Sequence, residues 1–332
     1  MKGESMKKIA LVLAAMLMAL PVHADFLEGE EAFDNKRYSE AFQHFQPLAD
    51  GGDFRSQYYI AYMYLYGYGV AKNDQLALAY LQKSLNQNYH LAQALMGYLY
   101  NEGRVVPADP KKAVMLYQKA ADQGNSAAML NLGVAYYLGN GVPRNLAKAV
   151  ELLEKIPVEQ KPEAGRYLGD IYLNQDSNNI EKAVAAYRSA AEAGDLLSYV
   201  SLGDIYLDGR GVDQDVERAI KYYTYAASQG SGAAQYALGI IYANGRGVSR
   251  DSVKAHAWLS WAINQNYEPA TAALSQLKTE MTLSDLDRAR TEFMNIQKNV
   301  LGKETSPFEE ERKAMEARAQ QRNTRTRMRR RR

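Results

Sequence analysis

One phrase, repeated at a nearly constant interval, constrains this chain more than any other feature of its sequence. The stretch YALGIIYANGRGV at residues 236–248 has a close counterpart, VSLGDIYLDGRGV, 36 residues earlier. A tyrosine holds the same slot in six copies of the phrase: Tyr64, Tyr100, Tyr136, Tyr172, Tyr206 and Tyr242. The intervals between these tyrosines are 36, 36, 36, 34 and 36 residues. Periods of this size are typical of solenoid arrays, so the phrase is predicted to be a structural repeat rather than a catalytic loop.

Each repeat is predicted to contain two helices. In the first helix, Leu238, Ile241 and Tyr242 stand at i, i+3 and i+4 and share one face. Gly239 lies in the middle of this helix, where glycine costs roughly 1 kcal/mol relative to alanine. The same slot holds Gly97, Gly133, Gly169 and Gly203 in other repeats, and Ala61 in the first. We therefore expect the neighbouring helix to approach this slot too closely for a larger side chain.

The second helix recurs as KAVMLYQKAADQG, EKAVAAYRSAAEAG and ERAIKYYTYAASQG. Ala113, Tyr117 and Ala120 have helical spacing and form a stripe with small residues at its edges. A glycine closes each of these three helices: Gly124, Gly194 and Gly230. Small and large side chains in alternation let helix pairs nest, so neighbouring repeats are expected to bury a continuous core.

The GxGV segment between the two helices has two interpretations. A phosphate-binding loop needs either the third glycine of a dinucleotide fingerprint or the Gly-Lys-Ser/Thr of a P-loop, and GRGV has neither. Glycine readily takes the left-handed conformation that follows a helix C-terminus. The segment is therefore predicted to be the turn that ends the first helix.

The pattern L-G-x-x-Y-x-x-G-x-G-V, then K-A, then A-A-x-x-G, resembles the Sel-like repeat family, a branch of the tetratricopeptide-type α-solenoids. The resemblance covers residues 54–266 in six repeats. Two repeats depart from the pattern: the fourth has NQDSNN in place of the glycine turn, and the second has Val105 where the second glycine of the turn is expected. Residues 25–53 resemble an ordinary tetratricopeptide repeat with a shorter linker. The implied fold is all-α, a right-handed α-solenoid of stacked antiparallel helix pairs, with about seven units plus a C-terminal cap.

The resemblance also implies a binding surface. In solenoids of this type the first helices line the concave side, and the slots 2 residues before and 2, 5 and 6 after the Leu of L-G are expected to face it. In the first repeat these slots hold Tyr58, Tyr62, Leu65 and Tyr66. Further candidates for partner binding are Tyr98, Tyr137, Arg166, Asp170 and Asp204. The surface would run from aromatic to acidic, and tyrosine is favoured at protein interfaces. The alternative is that Tyr62 and Tyr66 only pack against the next helix.

Residues 1–24 are predicted to be a cleaved signal peptide. Lys7 and Lys8 precede an apolar run of about 12 residues, which is short for a membrane span, and a small-residue exit ends at Ala24. Either Met1 or Met6 could be the start. The chain has no cysteine, which excludes a lipid-anchored N-terminal cysteine, disulfides and zinc–thiolate sites. We expect a periplasmic or secreted protein without a transmembrane segment in its mature form.

The C-terminal end has a different character. Residues 267–301 are predicted to be a helical capping pair, with Thr282 and Asp285 in a capping arrangement. Residues 302–332 comprise a charged helix, starting near Ser306 and Pro307, and a disordered Arg-rich tail. The apolar face of this helix is sparse, so it is expected to pack on nothing or only on a partner. The tail residues predicted to meet anionic surfaces are Arg325, Arg327, Arg329, Arg330, Arg331 and Arg332.

No pattern in the sequence indicates catalysis, and no cofactor or metal site is predicted. His44, His90 and His256 lie in separate repeats without a carboxylate or second histidine at i+3 or i+4. Residues 25–301 carry 26 basic and 32 acidic residues, so nucleic acid is not expected as a partner. The resemblance implies a non-catalytic adaptor that binds a protein partner in cell-envelope assembly, motility or host interaction. The alternative is a binder of cell-wall glycan or lipopolysaccharide that uses the tyrosines and the arginine tail.

Overall fold

The computed structural model describes residues 25–175, 179–302, 306–310 and 312–317. All regular secondary structure in these ranges is helical. The predicted signal peptide and the arginine tail lie outside the described residues. The helices fall into two compact units, one ending at Leu152 and the other beginning at Leu153.

The first unit begins with a helix pair and continues with three repeats. We call the first helix of each repeat its A helix and the second its B helix. The helices are α1 (25–34), α2 (Tyr38–Asp50), α3 (Phe54–Tyr66), α4 (Asp74–Asn86), α5 (His90–Glu102), α6 (Pro110–Ala121), α7 (Ser126–Leu138) and α8 (Leu146–Glu154), which ends just past the boundary. The A helices are α3, α5 and α7.

The second unit holds three more repeats and the C-terminal helices. Its helices are α9 (Pro162–Gln175), α10 (Ile180–Glu192), α11 (Leu196–Asp208), α12 (Val216–Ser228), α13 (Gly232–Asn244), α14 (Ser252–Asn264), α15 (Pro269–Lys278), α16 (Leu283–Asn299) and α17 (307–310 and 312–317). The A and B helices of a repeat pack against each other in the pairs α3–α4, α5–α6, α9–α10, α11–α12 and α13–α14, and within each unit a B helix contacts the next A helix in the pairs α4–α5, α6–α7, α10–α11 and α12–α13. The predicted all-α solenoid of helix pairs is confirmed.

The GxG segment is a turn, as predicted. Gly67, Gly103, Gly139, Gly209 and Gly245 each end an A helix in the left-handed conformation. Six residues after the glycine, an Asp or Asn caps the B helix; Asp109, for example, accepts a hydrogen bond from the backbone N–H of Lys112 at 3.0 Å. The backbone N–H of Asp109 itself donates to the carbonyl of Tyr100 at 2.9 Å. The backbone N–H of Asp251 donates to the Tyr242 carbonyl in the same way. One hydrogen bond thus joins the A helix to the start of the B helix in both repeats.

The glycine in the middle of the A helix is explained by the B helix of the same repeat. A Cβ on Gly97 would lie 2.7 Å from the ring of Tyr117, and one on Gly203 would lie 2.6 Å from the ring of Tyr223. Carbon atoms in contact are about 3.5–4.0 Å apart, so any larger residue would collide with the ring. The predicted close approach is confirmed.

In every repeat after the first, the tyrosine of the repeated phrase lies near the Lys or Arg that precedes the alanine of the K-A motif. Lys112 Nζ lies 5.3 Å from the ring centroid of Tyr100, and the Arg218 guanidinium lies 4.3 Å from that of Tyr206. The same pairing recurs in the third, fourth and sixth repeats. A cation over a tyrosine face contributes about 0.5–1 kcal/mol at exposed sites. The recurrence of this tyrosine together with a Lys or Arg at the start of the B helix therefore has a structural cause.

Successive repeats are joined at two kinds of contact. A Cβ on Gly247, the second glycine of its turn, would lie 2.5 Å from the side chain of Val216, the first residue of the preceding B helix. In addition, buried glutamines on A helices bind the free carbonyls at the end of the preceding B helix. Gln57 Nε2 donates to the Ala49 carbonyl at 3.1 Å. Both contacts join neighbouring helix pairs at a fixed offset along the chain, which favours a constant period.

Two helices, α15 and α16, follow the last repeat. Thr282 and Asp285 make a reciprocal capping box at the start of α16. Phe293 of α16 stacks on Trp261 of α14 with ring centroids 4.3 Å apart, and Trp261 Nε1 donates to the Phe293 carbonyl at 3.0 Å. This helix therefore covers the last B helix.

The prediction that the charged C-terminal helix packs on nothing within the chain is wrong. Phe308 is 6% exposed and lies against Tyr199 and Tyr222, with ring centroids 5.3 and 5.6 Å away. The Arg188 guanidinium lies 4.7 Å from the centroid of the same ring, and the Ser306 and Tyr199 hydroxyls are 2.9 Å apart. The segment is thus docked on α10, α11 and α12, in the middle of the second unit.

Candidate functional site

Three tyrosines form a row on the A helix of the first repeat. Tyr58, Tyr62 and Tyr66 are spaced by four residues on α3 and lie on one face. Their ring centroids are 6.1 Å apart for Tyr58 and Tyr62, and 4.5 Å apart for Tyr62 and Tyr66. All three side chains are partly exposed. The sequence placed these three together, and the structure does the same.

The row belongs to a larger aromatic surface that the sequence reasoning missed. Tyr68, the middle residue of the first GxG turn, lies 6.0 Å from Tyr62 and 5.9 Å from Tyr66 between ring centroids. Tyr38 stacks on Tyr68 at 4.6 Å, and Phe33 meets both Tyr38 and Tyr62. We call these six residues the aromatic face: Phe33, Tyr38, Tyr58, Tyr62, Tyr66 and Tyr68. The excess of tyrosine, 25 against 7 phenylalanines, was the signal available in the sequence.

The three tyrosines of α3 add no charge to the aromatic face. Burial raises the pKa of Tyr58, Tyr62 and Tyr66, so these phenols stay neutral at physiological pH. The Arg104 guanidinium lies 4.9 Å from the ring centroid of Tyr66. Arg104 is the middle residue of the second turn and reaches back to the preceding repeat. The surface is therefore apolar and neutral, with hydroxyls and one guanidinium at its edge.

The remaining candidates of the first unit are placed differently. Tyr98 on α5 is 37% exposed and close enough to Tyr66 to raise its pKa further. Tyr137 on α7 lies beside Arg144, whose guanidinium is 5.9 Å from the ring centroid. Leu138 next to it is 63% exposed. Leu65, expected at the surface, is instead 1% exposed and belongs to the core cluster of the first two repeats.

Arg166, Asp170 and Asp204 lie in the second unit and have partners within it. Arg166 Nε lies 3.2 Å from an Asp195 carboxylate oxygen, although the angle is too poor for a hydrogen bond, and its Nη1 is 3.9 Å from Asp170. The hydroxyl of Tyr187 donates to Asp170 at 2.6 Å. Tyr223 donates to Asp204 at the same distance.

Burial raises the pKa of both Asp170 and Asp204, although the tyrosine hydrogen bonds act in the opposite direction. Nearby, Asp208 is paired with both Arg210 and Arg246. The acidic part of the predicted surface is therefore engaged internally. A binding role for these three residues stays a prediction.

One cluster of possible metal ligands occurs at the start of the described chain. Asp25, Glu28 and His44 present ligand atoms within 4.8 Å of one another, and His44 Nδ1 lies 3.7 Å from Glu28. His44 has no carboxylate at i+3 or i+4, so the cluster arises only through the packing of α1 on α2. Both carboxylates are exposed, and exposed acidic groups of this kind are common without a metal.

Within residues 25–175, 179–302, 306–310 and 312–317, we find no helix with the length and hydrophobicity of a membrane span.

The comparisons with known proteins agree with this geometry. The family model described as Sel1 repeat matches six stretches of the chain: 55–89, 90–125, 126–156, 162–195, 197–231 and 232–267. No curated protein gives a match.

Two solved structures are similar over most of the chain. A protective antigen present in uropathogenic Escherichia coli strains, which displays an SLR fold, is 29% identical with a TM-score of 0.73, over 84% of this chain and 62% of the antigen. This chain thus spans less than two thirds of that relative. A Sel1 repeat protein from Oxalobacter formigenes is also 29% identical, with a TM-score of 0.64, over 72% of this chain and 99% of that protein. Sel1 repeats typically build protein-interaction scaffolds. The chain belongs to the Sel1 repeat family.

Proposed function

We propose that this protein is a non-catalytic periplasmic scaffold that holds a segment of a protein partner against its aromatic face. The observation that carries this proposal is the aromatic face itself: six partly exposed rings in mutual contact, with Tyr98 beside them. The repeat tyrosines already fill the structural slot in each repeat. The additional tyrosines of α3 are not needed for that purpose.

The chemistry of the aromatic face suits a protein partner. Tyrosine provides a large contact area with only two side-chain torsions, so little conformational entropy is lost on binding. Rings that already pack on one another are also preorganised, which lowers the cost of association. Burial keeps the phenols of Tyr58, Tyr62 and Tyr66 neutral, so an uncharged segment would meet no charge repulsion from them.

Site-specific photocrosslinking tests this proposal. The photoreactive amino acid p-benzoylphenylalanine would replace Tyr66 or Tyr98, and both changes keep an aromatic ring. The matched control is Met115, which is 62% exposed on the B helix α6. After irradiation of whole cells, we expect one protein to crosslink from positions 66 and 98 and not from 115, with mass spectrometry identifying it. The same products from all three positions, or none from 66 and 98, would contradict the proposal.

Periplasmic location is a separate part of the proposal, supported by the apolar leader and the lack of cysteine. Mass spectrometry of the protein purified from a periplasmic extract should find Asp25 as its N-terminal residue. An intact leader in the cytoplasmic fraction would contradict it. The process served is proposed, from the family resemblance, to be envelope assembly, motility or host interaction.

A second candidate function is binding of cell-wall glycan or lipopolysaccharide. The observation that favours it is the run of seven arginines in residues 322–332, because guanidinium groups pair bidentately with phosphate and carboxylate. Tyrosine rings also stack on sugars. This function would use the tail in addition to the aromatic face.

A further inference from the structure

The C-terminal helix α17 lies across the boundary between the fourth and fifth repeats. Arg188, whose guanidinium lies over the Phe308 ring, belongs to α10 of the fourth repeat. Tyr199 and Tyr222, which also contact this ring, belong to α11 and α12 of the fifth repeat. One short segment therefore touches both repeats at once.

Tyr199 changes the way in which these two repeats are linked. In the first and sixth repeats the same slot of the A helix holds Gln57 and Gln235, which donate to main-chain carbonyls of the preceding helix at 3.1 and 3.0 Å. The hydroxyl of Tyr199 lies 2.9 Å from the Ser306 hydroxyl instead. A link that is direct at the other two boundaries thus passes through the C-terminal segment at this one.

The segment is anchored at few points. Among the described residues of α17, only Pro307 and Phe308 are buried, and residues 312–317 are all exposed. A cavity of about 570 Å³ remains between α17 and the repeats, with Leu196 and Tyr225 in its lining. Loss of the contacts around one ring would therefore free the whole segment, and local openings of this kind cost less free energy than global unfolding.

The same boundary carries a charged contact between the fourth and fifth repeats. Arg166 Nε of α9 lies 3.2 Å from a carboxylate oxygen of Asp195, which caps α11. The two side chains are only 17% and 10% exposed. Movement of the fifth repeat relative to the fourth would pull these groups apart, so whatever fixes the spacing of the two repeats also fixes this pair.

We propose that α17 is a releasable strap across this boundary, and that an anionic surface which binds the arginine tail draws it off. The docked strap restrains the spacing of the fourth and fifth repeats, and its release lets that spacing vary. The inference rests on the second candidate function, the binding of anionic groups by the tail, and gives that binding a regulatory consequence within the repeats.

Charge favours the released state when the tail meets an anionic surface. Residues 25–301 carry 26 basic and 32 acidic side chains, so such a surface repels the repeats, whereas residues 322–332 carry seven arginines. Release lengthens the tether between Gly302 and the tail to as much as about 70 Å when extended. The repeats can then stay beyond the Debye length of about 8 Å at physiological ionic strength. Because a ligand shifts an equilibrium toward the state that it binds more tightly, the surface favours release.

Distance measurements between two spin labels test the strap, because the chain has no cysteine that would compete for the label. The labelled pair is Ala185→Cys on α10 and Lys221→Cys on α12, two exposed positions that hold the same slot in neighbouring repeats. The matched control is Ala79→Cys and Met115→Cys, exposed positions that hold this slot across the boundary of the first and second repeats. We expect narrow distance distributions for both pairs in the otherwise unaltered chain.

Release should broaden only the first distribution. Phe308→Ala is expected to widen the distances between positions 185 and 221 at least about twofold, because it opens the segment locally. Met315→Ala, at an exposed side chain of the same helix, should not. Lipopolysaccharide-containing vesicles should produce the same broadening in the full chain but not after deletion of residues 322–332, and zwitterionic vesicles should leave the distribution narrow.

Unaltered width in Phe308→Ala, or equal broadening of the control pair, would overturn the proposal. The vesicle comparison keeps Phe308 in place, so it decides the question even if Phe308→Ala fails to fold. Sedimentation of the same samples separates the strap from the function on which it rests. Full-length protein that sediments with the vesicles but keeps a narrow distribution would overturn the strap and leave the binding function standing. Absence of sedimentation would remove the binding function and, with it, release by an anionic surface.

Discussion

Gly203 and Tyr223 set the distance between the two helices of the fifth repeat. A hydrogen atom at position 203 lets the tyrosine ring lie on the backbone of α11, and the ring then reaches Asp204 with its hydroxyl. The cost of glycine within a helix is offset by this contact. The same combination of glycine, ring and aspartate occurs at Gly169, Tyr187 and Asp170.

Gly203→Ala is expected to lower the free energy of unfolding by about 1–3 kcal/mol, the usual effect of overpacking a core. Helix propensity alone predicts the opposite sign, a gain of about 1 kcal/mol. Chemical denaturation of the full chain would decide between the two. In a Tyr223→Ala background the same substitution should cost much less, and an equal cost in both backgrounds would show that the ring is not responsible.

Val105→Gly is expected to stabilise the protein. Val105 has a φ of 69° where the other glycine turns have their second glycine, and left-handed backbone costs a residue with a Cβ about 1–2 kcal/mol. Some packing on the neighbouring core is lost, so the net gain should be about 1 kcal/mol. The reverse change at the matched site, Gly69→Val, should destabilise, because its Cβ would lie 2.5 Å from the Tyr38 backbone. A lower melting temperature for Val105→Gly would contradict this account.

The buried carboxyl of Asp204 should make stability depend on pH. Burial raises its pKa in the folded protein above the unfolded value, so the folded state binds this proton more tightly. Its contribution is therefore fully present below the unfolded pKa and is lost as the pH rises through the folded pKa. Asp204→Asn should flatten the stability curve over this acidic range, as measured by denaturation at several pH values. Asp285→Asn is the control of opposite sign, because hydrogen bonds lower the Asp285 pKa. Parallel wild-type and Asp204→Asn curves would disprove the assignment.

At the scale of single residues, predictions from the sequence were correct where backbone geometry restricts which residue can occupy a position. The need for a small residue at the Gly203 slot follows from its recurrence in a helix that would otherwise avoid glycine. The contact between Tyr100 and Lys112 could not be predicted from the sequence, because it depends on the conformation of the turn that joins their two helices. For the aromatic face, the row on α3 was predictable from helical spacing alone. Tyr38 and Tyr68 were not, since they come from separate segments.

At the scale of elements, α17 departs most from expectation. Its sequence is mostly charged. A helical periodicity predicts a buried face only when several apolar residues recur at helical spacing. Here only Pro307 and Phe308 are buried among the described residues of α17, and Tyr199, which contacts Phe308, lies more than a hundred residues earlier. In three other repeats the slot of Tyr199 holds Gln57, Gln93 or Gln235. The third and fourth repeats hold Met129 and Gly165 there, so the slot varies and Tyr199 gave no clear indication of the contact.

Phe308→Ala is expected to release α17 from the second unit. Truncation of a buried phenylalanine typically costs about 3–5 kcal/mol, and here the loss falls on one short segment. Hydrogen exchange followed by mass spectrometry should show faster exchange in peptides covering residues 306–317, with little change in α13. Met315→Ala, at a side chain that is 58% exposed, is the control and should change neither. Unaltered exchange in Phe308→Ala would mean that the ring does not hold the segment.

At the scale of the whole molecule, charge is divided between the repeats and the tail. Residues 302–332 carry eleven basic and five acidic side chains, whereas the preceding 25–301 are acidic on balance. Such a division favours contact of the tail with anionic groups and keeps the repeats free of them.

Deletion of residues 322–332 is therefore expected to abolish sedimentation of the protein with lipopolysaccharide-containing vesicles. Binding of the full chain should weaken steeply between about 0.05 and 0.5 M salt, because screening shortens the reach of exposed charges. Vesicles of zwitterionic lipid are the control. Equal, salt-insensitive sedimentation of the truncated chain would eliminate the tail as an anchor.

The docking of α17 has a practical consequence for anyone who wishes to shorten the protein. In most repeat arrays terminal modules can be trimmed one at a time, since each touches only its neighbours. Here Phe308 is received by side chains of α10, α11 and α12. A shortened version that keeps α17 docked must therefore retain α10 of the fourth repeat and both helices of the fifth.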